Sequence, residues 1–123
     1  MEIVSEILSE SQLNDQVIEL ANLLKANRRE NLLVAFGFGC EKDIDDLWKD
    51  ENVKAEDLEF YIHKSIQEGI YRIGKADFHI TDIDKSFQIL FCHESDIHLI
   101  SKDENLLNVV KTIWEKSGFE IRP

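Results

Sequence analysis

The sequence predicts an α+β fold, with helices in the N-terminal half packed on a mainly antiparallel sheet and a C-terminal helix closing the chain. Three observations carry this. Apolar residues recur at helical spacing as far as Ile70, alternation with a period of two takes over from Asp77, and a strongly signalled amphipathic helix follows. Helices grouped before strands favour segregated layers over βαβ alternation. At 123 residues the chain is expected to form a single α+β domain, 1–123, with its own core.

Leu13, Val17, Leu20 and Leu24 fall at i, i+4, i+7 and i+11, the stripe of a helix that Val4, Ile7 and Leu8 extend upstream. Arg28, Arg29 and Glu30 break the pattern. Leu32 to Phe38 is a continuous apolar run ended by Gly37-Phe38-Gly39, which fits a buried strand or a hidden helical segment, the strand being the preferred reading. Next, Ile44, Leu47 and Trp48 at i, i+3 and i+4 predict a short helix that buries those three and turns Asp43, Asp45, Asp46 and Asp50 outward. Leu58, Ile62, Ile66 and Ile70 predict a further helix that weakens at Gly69 and stops by Gly74.

The alternating segments Phe78/Ile80, Phe87/Ile89/Phe91 and Ile97/Leu99 predict a three-strand meander, with turns at Asp84-Lys85-Ser86 and His93-Glu94-Ser95-Asp96. A four-residue second turn sets Cys92 opposite Ile97 and Leu90 opposite Leu99. His79 then shares a face with Cys92 and Leu99, and His98 takes the other with Phe78, Ile89 and Phe91. Ser101 and Glu104 have capping-box spacing for the last helix, Leu106, Val110 and Ile113 form its stripe, and Gly118 stops it. Phe119 to Ile121 can return as an edge strand.

Charge narrows the function. The net charge is −11, and Glu41 to Glu59 alone holds nine acids against three lysines, a local net of −6. Such a surface repels nucleic acid and anionic membrane and attracts basic proteins. The N-terminus lacks the basic region of a signal peptide, and no apolar run approaches the ~20 residues of a membrane helix. The expectation is a soluble, cytoplasmic protein. Two cysteines are not a disulfide framework, so Cys40 and Cys92 are expected as reduced, buried thiols.

The densest reactive cluster is Cys92-His93-Glu94-Ser95-Asp96-Ile97-His98. A thiol with imidazoles and carboxylates can bind zinc or act as a Cys-His hydrolase. The register above keeps His79 and His98 from converging, and the spacing lacks paired CxxC or HxxxH patterns, so no metal, cofactor or catalytic residue is assigned. Gly37-Phe38-Gly39-Cys40 lacks both the third glycine of a dinucleotide fingerprint and the Gly-Lys-Ser/Thr of a P-loop, which leaves a tight turn.

The residues therefore point to a docking surface, with Asp43, Asp45, Asp46, Asp50 and Glu51 pairing with a basic protein and Trp48 as an aromatic anchor. The acidic region Glu41 to Glu59, the meander FHITDIDKSFQILFCHESDIHLI and the closing helix Asp103 to Ser117 together resemble the small acidic immunity proteins of bacterial toxin systems, particularly those of contact-dependent growth inhibition. The resemblance implies a cytoplasmic, non-enzymatic inhibitor that binds the C-terminal toxin domain of a large secreted protein, frequently a nuclease. No individual residue role follows from it. The competing expectations are a small enzyme or metal-binding domain using Cys92, His93 and His98, and an acidic scaffold subunit of a complex.

Overall fold

The computed structural model describes residues 1–27 and 29–122, and Arg28, read above as part of the first helix's end, lies outside them. The fold is α+β: three helices lie on one face of a seven-stranded sheet whose order is β3-β2-β4-β5-β6-β1-β7 and whose neighbours all pair antiparallel.

The chain enters as β1 (Glu2–Ser5), where a helix extension was expected. A capping box explains the difference. Ser9 accepts from the Gln12 N–H and the Gln12 side chain accepts from the Ser9 N–H, so α1 (Glu10–Ala26) starts there and residues 2–5 are free to pair with β6. The stripe of α1 is buried as expected, with Gln16 inside it; the Gln16 side-chain carbonyl accepts the indole N–H of Trp114 at 2.9 Å.

The next strand, β2 (Asn31–Phe36), is central, flanked by β3 and β4. Beyond it, Gly37 donates to the Asp77 carbonyl, and Gly39 sits at φ +87° with a Cβ position blocked by the Lys75 carbonyl. This is the tight turn that the glycines predict.

The acidic segment corrects the sequence reading. Residues 44–46 make one 3-10 turn, the chain then extends, and β3 (Glu51–Lys54) pairs with β2. Ile44 and Trp48 are exposed, not buried. The physical reasons are that Asp43 makes no side-chain cap, the acids repel one another along so short a helix, and the Trp48 N–H donates to the Phe36 carbonyl, which ties the segment to the end of β2.

Helix α2 (Leu58–Gln67) buries Leu58 and Ile62 and ends before Gly69, at φ +75°. Strands β4 (Phe78–Asp82), β5 (Phe87–Phe91) and β6 (Ile97–Ser101) form the expected meander. Phe36, Phe78, Phe91 and Ile97 align across the sheet on the face beneath the helices, as do Val34, Ile80, Ile89, Leu99 and Ile3. Helix α3 (Glu104–Lys116) starts one turn-position away from expectation: Asp103, not Ser101, is the N-cap, accepting from the N–H groups of Asn105 and Leu106. Gly118, at φ +81°, stops it, and β7 (Ile121–Arg122) returns as an edge strand beside β1.

Among the described residues no helix covers the opposite face of the sheet, where Ala35 and Thr81 are nonetheless buried. Leu33, His79, Gln88, Leu90, Cys92, His98 and Val4 lie there half-buried, and Ile100 is exposed. Among the described residues no helix is long and apolar enough to cross a membrane.

Candidate functional site

Two features stand at the same end of the sheet. The first is the loop between β2 and β3. Trp48 occupies the left-handed region at φ 60°, a conformation that costs a non-glycine residue about 1–2 kcal/mol. It is held there by its N–H bond to Phe36 at 2.7 Å and by its indole lying on Gly37, where any Cβ would collide with the ring. The indole edge faces His79 of the uncovered sheet face, with ring centroids 6.4 Å apart. Trp48 is nonetheless 49% exposed, and Ile44 and Phe38 are 83% and 63% exposed. Three large apolar side chains thus stand in solvent within a loop of carboxylates.

The acids around them are not equivalent. Asp43, Asp45 and Asp50 are exposed, and among the described residues they have no ion-pair partner. Asp46 reaches Lys49 at 3.3 Å. Glu51 points to the helix side, where it meets Lys42 at 3.1 Å and accepts from the Tyr61 hydroxyl at 3.0 Å. Burial first, and then that carboxylate, push the Tyr61 phenol well above its ordinary range. Glu51 thus differs from the other acids in that its oxygens are already engaged within the fold. Ile44 and Phe38 were missed, since spacing placed Ile44 on a buried stripe and Phe38 in a strand.

The second feature is the Cys92 turn, and here too the structure overturns the expected register. Cys92 donates to the Asp96 carbonyl at 2.9 Å and accepts from Ser95 at 3.0 Å, with Ser95 at φ 68°. The turn therefore has three residues ending in a bulge. Phe91 pairs with Ile97 and Leu90 with His98, so His98 lies on the uncovered face with His79 and Cys92, while Leu99 turns to the core.

Around Cys92 stand Asp77 and Asp96, both nearly buried, and the imidazoles of His93 and His98. Asp77 Oδ1 lies 2.8 Å from both the backbone nitrogen and Nδ1 of His93. His98 Nε2 is 3.2 Å from Asp96 Oδ1. The Cys92 thiol is pushed up to about 11 by burial, with the Asp96 and Asp77 charges adding to it against a lowering bond from the Glu94 N–H. A nucleophilic cysteine needs the opposite shift. Both cysteines are free thiols, half-buried and not fully buried. Asp77 and Arg122 were not read as partners of this cluster, and only the corrected register brings Asp96 and His98 to the face of Cys92.

The chain matches no protein-family model, no curated protein and no solved structure.

Proposed function

We propose that this protein is a cytoplasmic, non-enzymatic inhibitor of the immunity type, which binds and neutralises a basic protein partner, the C-terminal toxin domain of a secreted bacterial protein and most simply a nuclease. The observation that supports the reading best is the loop in which Trp48, Ile44 and Phe38 stand exposed among Asp43, Asp45, Asp46 and Asp50. Protein interfaces take most of their energy from a few aromatic and large apolar anchors and their orientation and speed from charge around them. Strain held at Trp48 agrees with this, because left-handed non-glycine backbone survives where the surroundings impose it, often at functional sites. A loop tied to β2 by the Trp48 N–H also enters the encounter pre-organised, which lowers the ordering cost of binding.

The net charge of −11 disfavours nucleic acid as a partner and would steer a cationic nuclease groove toward the loop. Carboxylates on that loop would occupy the phosphate positions of the nuclease substrate.

The test is growth. The C-terminal region of the protein encoded immediately upstream is expressed alone and with this chain. Arrest that this chain relieves, and that the Trp48→Ala and Ile44→Ala double variant relieves poorly, is the expected result. Absence of toxicity, or toxicity unrelieved by the wild-type chain, overturns the reading.

A further inference from the structure

We propose that Cys92, Asp96 and His98 form a Zn²⁺ site on the uncovered face of the sheet. The placement comes from the three-residue turn. It sets Cys92 directly across from Asp96, and His98 follows Asp96 two residues later on the same face. A thiol sulfur, a carboxylate oxygen and an imidazole nitrogen from the three all lie within 4.8 Å of one another. Donors around a tetrahedral zinc are about 3.3–3.8 Å apart, given bonds of about 2.0–2.3 Å, so modest side-chain rotation closes the set.

Two of the three donors, His98 and Asp96, meet a further group on their far side, as ligands of protein-bound zinc do. His98 Nδ1 faces Glu2 at 3.7 Å, which leaves Nε2 for the ion. Asp96 Oδ2 is held by Arg122 at 2.5 Å, and Arg122 in turn donates to the Ser5 carbonyl at 3.0 and 2.8 Å, which leaves Asp96 Oδ1 for the ion. Val4 and Glu94 complete the walls of a cleft of about 410 Å³, room enough for a fourth ligand, either water or the Glu94 carboxylate.

Donor chemistry selects the metal. One sulfur, one nitrogen and one oxygen make a borderline-soft set, which favours Zn²⁺ over Mg²⁺ or Ca²⁺. The protein supplies a neutral thiol, so binding forms the Cys92 S–Zn bond, breaks the S–H bond and releases one proton to solvent. The cation replaces that proton between two nearly buried carboxylates, Asp77 and Asp96. On the other side of Cys92, Asp77 and His93 offer a competing set, but there Asp77 Oδ1 also accepts the His93 backbone N–H at 2.8 Å, whereas the Asp96–His98 contact that zinc would replace is a single one at 3.2 Å.

The test uses the purified full chain and needs no partner, so it stands apart from the inhibitor reading. Zn²⁺ is titrated against a chromophoric chelator, and Co²⁺ serves as the spectroscopic probe. One equivalent of Co²⁺ with a thiolate-to-metal charge-transfer band is expected. Cys92→Ser removes the band and weakens Zn²⁺ binding by about 100-fold or more, His98→Gln weakens it by at least about 10-fold, and Cys40→Ser changes neither. Circular dichroism establishes that each variant is folded, and the wild-type band needs no variant. No thiolate band at one equivalent overturns the proposal. So does a band that survives Cys92→Ser, or one that is kept in His98→Gln and lost in His93→Gln.

Discussion

Replacing Gly37 by alanine puts a methyl group where the Trp48 indole lies, and the side chain that must yield is the proposed anchor. The indole is 49% exposed, so about half of the ~250 Å² that a tryptophan can bury, roughly 125 Å², is at stake. At ~25 cal/mol per Å² the ceiling is about 3 kcal/mol. Two effects oppose it: alanine lowers the entropy of the unfolded chain by about 0.4–1 kcal/mol, and loosening Trp48 recovers about half of the ~1–2 kcal/mol held at φ 60°. The net expectation for Gly37→Ala is a loss of about 1–2 kcal/mol. Urea denaturation measures it, and intrinsic fluorescence shows the cause, because Trp114 is fully buried and a red shift in the folded state reports on Trp48. In a Trp48→Ala background the methyl group has nothing to displace, so Gly37→Ala becomes neutral or slightly stabilising. Equal losses in both backgrounds would refute the argument that Gly37 is a shelf for the indole.

Three further outcomes are expected. Reversing Asp43, Asp45 and Asp50 to lysine slows association with a basic partner by 10-fold or more at low salt and flattens its salt dependence, read by stopped flow, whereas Glu51→Gln leaves the association rate nearly unchanged. Gln16→Leu strands the buried Trp114 N–H and costs about 1–3 kcal/mol in chemical denaturation, part of which Trp114→Phe in the same chain restores. The third outcome concerns Cys92. With its thiol moved from 9.0 to about 11, it alkylates slowly at neutral pH, with a rate that climbs about tenfold per pH unit until near the shifted value. Because the folded value is raised, the unfolded thiol ionises first. Cys92 therefore contributes its full stabilisation below pH 9.0 and loses it progressively toward pH 11, a limb that Cys92→Ser removes.

Long periodic elements were legible because burial itself writes the pattern. The stripe of α1 and the alternation of β4 and β5 reflect side chains that meet a core on one face only. What escaped the sequence depends on partners distant along the chain. Val4, Ile7 and Leu8 mimic a helical continuation, and only pairing of β1 with residues 98–100 shows a strand. Ile44, Leu47 and Trp48 have helical spacing by coincidence, since Trp48 answers to the Phe36 carbonyl.

The meander was visible, but its second register was not. The bulge position is held by Ser95, where glycine would have signalled a three-residue turn, and slipping by one residue sends His98 to the wrong face. The acidic segment was visible from composition alone, which located the charge. Composition could not separate Asp43, Asp45 and Asp50 from Glu51, whose partners Lys42 and Tyr61 come from opposite sides of β3 in the chain.

The position of β1 bears on how the molecule folds. Both of its neighbours, β6 and β7, lie in residues 97–122, so residues 2–5 cannot take their place in the sheet without those segments. Val4 reaches its place between His98 and Arg122, and Ser5 its place beside Ile121, only by closing a loop that holds nearly every other element. Pairing across so long a separation is slow to nucleate. The β2, β4 and β5 strands, which pair without β1, can therefore assemble first with the acidic loop beside them, while the opposite flank of the sheet, with the cleft at Cys92, awaits the pairing of β1.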